Sequence, residues 1–210
     1  MTRAVSFGEE WQMTPVDRFG VALSGRALHR HARFDGDRVG DFGCGFHATF
    51  TRSVLDRVAH ATLVDVSLDD GLHNHPKVTA LEGSLVQVLP TLPAASLDVV
   101  MCMSVLEHLW EPEVALAEFH RILAPGGVAL LGVPTWFGKR WLELSAFRLN
   151  LSPPAEMDDH KNYYDPNDLW PMLVRAGFLP SNITCRRFKF GLGTFAACRV
   201  GPHHDTGASA

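Results

Sequence analysis

The run Leu97–Met103 constrains the fold more than any other stretch. Val99, Val100, Met101, Cys102 and Met103 are uninterrupted apolar residues, too few to cross a bilayer and too regular for a loop. Such a run suits a strand covered on both faces, which is the signature of a parallel sheet. Shorter apolar segments at Arg38–Phe42, Thr62–Val66, Val78–Glu82 and Val128–Val133 fall on either side of it, with amphipathic stretches between. Arg38–Phe42 is weakened as a strand by Gly40. The clearest helix begins at Pro112, where a missing N–H costs nothing, and runs to Leu123. Leu116, Phe119 and Leu123 place one apolar stripe on it, and Pro125-Gly126-Gly127 stops it. Strand–helix alternation at this spacing means βαβ units with right-handed crossovers.

The ends of the chain read differently. A helix is expected from about Val16 to Arg33. Near the other end, Asp165 caps a helix whose apolar face is Leu169, Met172, Leu173 and Ala176, closed by Gly177. Two strand-like segments, Asn182–Phe190 and Thr194–Val200, are joined by Gly191-Leu192-Gly193. That link is too short for a crossover, so they form an antiparallel hairpin. The expectation is therefore an α/β fold: a single Rossmann-like doubly wound sheet of seven strands, mostly parallel, with an antiparallel C-terminal hairpin and helices on both faces. At 210 residues the chain fits one domain over residues 1–200, with 201–210 a disordered tail.

Charge and composition remove other classes. Nineteen basic against 23 acidic side chains leave a net charge of −4, which speaks against binding a nucleic-acid backbone. No apolar run spans a bilayer, and Met1–Glu10 carries no apolar core of a secretory signal. The cysteines Cys44, Cys102, Cys185 and Cys198 show no C-x-x-C spacing, and the eleven histidines form no ligand motif, so no metal is expected. Reduced thiols point to the cytoplasm. The oligomeric state is not encoded in any of this.

The chemistry is concentrated in Val39-Gly40-Asp41-Phe42-Gly43-Cys44-Gly45-Phe46-His47-Ala48. A strand runs into a glycine loop and then a helix, so backbone N–H groups converge where a ligand can approach closely. Twenty residues on, Asp65 ends the second strand, where a carboxylate can accept hydrogen bonds from both hydroxyls of a ribose. Gly43-x-Gly45-x-x-Ala48 also fits a dinucleotide fingerprint. Asp41 argues against that, because a carboxylate there repels a pyrophosphate and suits an ammonium.

These residues resemble the class I S-adenosylmethionine-dependent methyltransferases, of the type 11-like kind. Asp41-x-Gly43-Cys44-Gly45 matches the family's first motif, and Leu63-Val64-Asp65-Val66-Ser67 its second. Glu82-Gly83-Ser84-Leu85 lies where the third strand ends, with Ser84 in place of the usual acidic residue that meets the adenine. Ser104-Val105-Leu106-Glu107-His108-Leu109 follows the fourth strand like the family's "LEH" signature. Glu118-Phe119-His120-Arg121-Ile122-Leu123-Ala124-Pro125-Gly126-Gly127 resembles its helix and turn into the fifth. His47 stands where many members have a third glycine. The match covers residues 38–134, and more loosely the final helix and hairpin. It implies S-adenosylmethionine as cofactor, held by Asp41, Gly43, Cys44, Gly45, Asp65, Val66, Ser84, Leu85 and Ser104.

Methyl transfer from a sulfonium is an in-line displacement that mainly requires alignment, plus a base if the acceptor must lose a proton. His108, after the fourth strand, is the first candidate base; bracing of its loop is the alternative. His160 is the second, in a segment that could equally be a solvated loop. Tyr163 and Tyr164 are adjacent, so one can face a substrate while the other packs. Trp136 opens an aromatic-rich stretch over 136–164 that is either core or a lid over the acceptor. With residues 1–37 as a helical arm, 38–134 as the cofactor-binding core and 165–200 as the final helix and hairpin, the expected acceptor is a small or lipid-like molecule. A NAD-dependent oxidoreductase and a catalytically inactive methyltransferase-like scaffold are the competing readings.

Overall fold

The structure is a computed structural model that describes residues 6–9, 15–140 and 160–201. Its centre is a seven-stranded sheet of order β3-β2-β1-β4-β5-β7-β6. The strands are β1 (Arg38–Phe42), β2 (His60–Asp65), β3 (Val78–Glu82), β4 (Leu97–Met103), β5 (Leu123–Pro134), β6 (Ile183–Phe188) and β7 (Gly193–Arg199). β1 to β5 pair in parallel. β7 runs antiparallel to both β5 and β6. The helices are α1 (Pro15–His31), α2 (Thr49–Val54), α3 (Asp70–His73), α4 (Leu85–Val88), α5 (Pro112–Ile122) and α6 (Pro166–Arg175).

The two-residue period of the strands divides the core into two layers. Phe42, Val100, Cys102, Ala129 and Leu131 point to one face, where they meet Leu116 and Phe119 of α5 and Leu169 and Leu173 of α6. Val39, Val99, Met101, Val128 and Leu130 point to the other, against Ala27 and Leu28 of α1, Val54 of α2 and Leu72 of α3. β4 is thus covered on both sides, which is why its sequence is apolar without alternation.

Gly40 weakens β1 by propensity but is required by packing. A Cβ there would lie 2.6 Å from both Leu97 Cδ1 and the Phe42 ring. Several element boundaries differ from expectation, and those of β2 and β5 bear on the site. β2 begins at His60 and ends at Asp65, so Val66 falls just beyond the strand rather than within it. α5 ends at Ile122, and β5 begins directly at Leu123 instead of Val128. Pro125-Gly126-Gly127 is therefore an irregularity inside β5: the β4 pairing shifts register between Leu97 and Val99. Gly126 N–H donates to Val200 O, and Val200 N–H to Gly127 O, both at 3.0 Å, so the chain after β7 takes up this irregular backbone.

α6 carries the expected cap on its first turn: the Asp165 N–H donates to Asp168 Oδ2 at 2.9 Å. Of the stretch proposed as a lid, residues 136–140 form a helical turn, and Trp141, Leu144 and Arg148 lie outside the described residues, as does the tail beyond Gly201. No helix among the described residues is long and apolar enough to cross a membrane.

Candidate active site

Strand order reverses between β1 and β4, and in open α/β sheets ligands bind at the carboxyl ends of the strands on either side of such a point. The predicted cofactor residues converge there. Gly43 has φ +79°, and a Cβ on it would stand 2.1 Å from Val105 Cγ2, so no other residue fits between β1 and the loop after β4. Its N–H donates to Val64 O at 2.7 Å. The left-handed position later in this loop is Ala48, at φ 43°, and not His47. His47 instead points its Nδ1 to within 3.4 Å of Asp69 Oδ2, which leaves the turn intact without a third glycine.

Asp41 is buried at the end of β1. Thr51 Oγ1 donates to its Oδ2 at 2.6 Å. Burial nonetheless pushes its carboxyl up to about 7; the Thr51 hydrogen bond opposes the shift and the negative charge of Asp65 adds to it. A desolvated carboxylate of this kind is complementary to an ammonium, which would restore its ionised form. Cys44, half-buried behind it, has its thiol pushed well up by desolvation and by Asp41 and Asp65, so it is an inert neutral group.

Asp65 accepts from Gly45 N at 2.8 Å on Oδ2 and from Val66 N at 2.8 Å on Oδ1. Ser6 Oγ also donates to Oδ1, at 2.7 Å. Sequence reasoning missed this contact. Residues 6–9 lie across the glycine loop: Phe46 N–H donates to Phe7 O at 2.9 Å, and Ser67 Oγ to Glu9 Oε2 at 2.7 Å. Nothing in the composition of this short polar segment marks it out.

Ser84 and Leu85 follow β3 at the same edge, with Gly83 N–H donating to Asp65 O at 2.9 Å. Ser84 starts α4 in extended conformation, and Leu85 is buried. Ser104 ends β4 in left-handed conformation (φ 59°), its N–H on Gly132 O at 2.7 Å. The residues present thus fit a cofactor with an ammonium at one end and a ribose at the other. The buried Asp41 faces the first role and Asp65, at the tip of β2, the second.

The residues expected on the acceptor side form a second group beyond β4. The His108 and His160 rings meet edge to face, with centroids 4.7 Å apart. His160 Nδ1 lies 3.1 Å from Tyr163 Oη. Trp136 packs on the Tyr163 ring at 5.5 Å, and Lys139 Nζ stands 5.9 Å from that ring's centroid. Two backbone bonds hold the segment in place: Lys161 N–H and Asn162 N–H both donate to Glu107 O, at 2.8 and 3.2 Å. Trp136, Phe137, Lys139 and Arg140 line a cavity of about 430 Å³ beside it.

Tyr164 is no more buried than Tyr163, at 6% against 7% exposure, but has other neighbours. It is buried in the core layer of α5 and α6. Its N–H donates to Pro134 O at 3.0 Å, and its carbonyl accepts from Thr194 Oγ1 at 2.7 Å. Burial, with Glu113 and Glu107, raises its phenol to about 12. The other residue not anticipated is Lys189, at the β6–β7 turn. Burial lowers its ammonium from the usual lysine value, and the charge of Glu107 opposes that shift.

A glycine loop on β1, an acid at the tip of β2 and an antiparallel pair closing the sheet define a class I S-adenosylmethionine-dependent methyltransferase fold. The chain belongs to the methyltransferase domain family, whose profile matches residues 17–179. A relative from Mycolicibacterium smegmatis named "Probable S-adenosylmethionine-dependent methyltransferase" is 36% identical over 158 residues, covering 73% of this chain and 55% of that protein. A ubiquinone biosynthesis O-methyltransferase from Psychrobacter arcticus is 28% identical over 159 residues, covering 70% of this chain and 61% of its own length. The chain therefore spans between half and two thirds of these relatives. Among solved structures, an S-adenosylmethionine-dependent methyltransferase from Archaeoglobus fulgidus superposes with a TM-score of 0.62 at 16% identity, over 85% of this chain and 93% of that one. Membership of this family sets aside the NAD-dependent reading of the glycine loop.

Proposed function

We propose that this chain transfers a methyl group from S-adenosylmethionine to a hydroxyl of a small, largely apolar or lipid-like acceptor. The observation that carries the reading is the pair His108–His160, 4.7 Å apart at the carboxyl end of β4. An oxygen acceptor must shed its proton on attack, and an imidazole pair beside it can take part in that. Bound at Asp41 and Asp65, S-adenosylmethionine supplies an activated methyl group. Asp41 binds the ammonium, Asp65 the ribose, and the backbone after Gly43 and Ser84 the remainder.

Trp136 and Phe137, both about half exposed, offer aromatic and apolar wall to the cavity, which suits an acceptor with a ring or an acyl chain. Lys139 and Arg140 on the same wall suit an acceptor with a negative charge or a phenolate. The relative whose name specifies O-methylation in ubiquinone biosynthesis supports the choice of oxygen and of a lipid-like body.

The test is methyl transfer from labelled S-adenosylmethionine to a panel of phenols, with and without prenyl or acyl substituents, beside matched amines and thiols. Label on the hydroxylated, apolar members is the expected result. Label on amines alone would overturn the choice of oxygen. No binding of S-adenosylmethionine across a millimolar range would favour the inactive scaffold.

A further inference from the structure

A third side chain joins the histidine pair. Glu107, His108 and His160 each offer one ligand atom, and these atoms all lie within 4.8 Å of one another. We propose that the three residues form a binding site for a divalent first-row transition cation. The chemistry of the set selects the ion. Two imidazoles and one carboxylate suit zinc, iron, cobalt, nickel or manganese, whereas magnesium and calcium prefer all-oxygen sites.

Three observations support a built site. Glu107 is only 1% exposed, so packing holds its carboxylate in place beside the two imidazoles. The ligands come from two segments, after β4 and before α6. The Lys161 and Asn162 N–H groups tie these segments together on the carbonyl of Glu107 itself. Tyr163 Oη, 3.1 Å from His160 Nδ1, is the outer hydrogen bond that metal-binding histidines characteristically have.

Three protein ligands leave coordination positions open. This part rests on the reading above: an acceptor hydroxyl would bind at such a position. The cation would then polarise its oxygen so that its proton passes to water, and the two imidazoles, as ligands, would take part in the proton loss described above by holding that cation.

The metal site can be tested apart from methyl transfer. The full chain, stripped with chelator and free of cofactor and acceptor, is titrated with Co²⁺ by calorimetry and visible absorption. Saturable binding of one Co²⁺ per chain, displaced by Zn²⁺, is expected. E107Q and H160Q should each weaken it on the order of tenfold or more, and H120Q, which alters a histidine packed on Phe178, should leave it unchanged. Absence of saturable binding in the wild-type chain would overturn the proposal, whatever the variants do. So would wild-type affinity in both E107Q and H160Q, each shown to be folded by its thermal transition. A chain that binds Co²⁺ but transfers no methyl group would sink the functional reading alone, and an active chain without Co²⁺ binding would sink only the metal site.

Discussion

Ser6 Oγ donates to Asp65 Oδ1 at 2.7 Å, so a residue from the start of the chain occupies the carboxylate assigned to the cofactor's ribose. The two cannot share that oxygen without cost. Ser6→Ala should therefore tighten binding of S-adenosylhomocysteine, by about fivefold if the lost bond is worth an ordinary ~1 kcal/mol. Asp65→Ala should act in the opposite sense, weakening it on the order of 100-fold, because a charged acceptor for two hydroxyls disappears. Calorimetric dissociation constants for both variants decide the matter. Weaker binding in Ser6→Ala would mean that residues 6–9 assist the cofactor instead of competing with it.

Asp41 makes cofactor binding depend on pH. Its carboxyl is held near 7, above the usual carboxylate range, chiefly by burial. A raised carboxyl stabilises the ligand-free fold most below the ordinary range, and that contribution is lost as pH rises through about 7. An ammonium prefers the ionised form, so cofactor affinity should rise with pH over the same window, by up to about tenfold per unit. Asp41→Asn should bind weakly and show a flat profile. A wild-type profile that is equally flat between pH 5 and about 7 would mean that the ammonium is bound elsewhere.

Gly43 is the position least able to accept a side chain. Gly43→Ala would force a residue with φ +79° into contact with Val105 Cγ2 at 2.1 Å. Strain of this kind costs about 1–3 kcal/mol before the collision is counted. The melting temperature should drop, and cofactor binding should be lost with it. An unaltered melting curve would refute the close approach.

Tyr163 and Tyr164 are both buried but have different partners: Tyr163 meets His160 and Trp136, and Tyr164 the core layer of α5 and α6. Tyr163→Phe removes the hydroxyl beside His160 and should lower turnover, while His108→Gln and His160→Gln should lower it about 10²-fold or more. Tyr164→Phe, in the core layer, should leave turnover unchanged. Steady-state rates at saturating cofactor separate the two positions. Equal losses in Tyr163→Phe and Tyr164→Phe would point to a packing effect alone.

Asp168 caps α6 away from the chemistry. Asp168→Ala removes the acceptor of the Asp165 N–H and should cost about 1 kcal/mol of stability. Chemical denaturation measures the loss, and cofactor affinity should not change.

The alternation of strands and helices, the buried central strand and the antiparallel ending could all be read from residue pattern, because each follows from local periodicity and from connection length. So could the positions of Asp41, Gly43 and Asp65, since a glycine loop and an acid at the tip of the next strand are local features held at a set spacing. Gly40 read locally as a flaw in β1, and only the approach of Leu97 shows why glycine is required there. The start of β5 is hidden from local pattern for a similar reason: the irregular Pro125-Gly126-Gly127 backbone finds its partners in the chain after β7, far along the sequence.

The meeting of Glu107 and His108 with His160 belongs to the same class, as do the reach of Ser6 to Asp65 and the burial that shifts Asp41. Each depends on two segments that no periodicity links. Their distance is set by the packing of the sheet and its helices, and the strength of a charge or hydrogen bond is set by how much water that packing removes. Residue order therefore determines the scaffold and the cofactor loop, while the pairing of groups and their protonation are decided only when the chain has closed on itself.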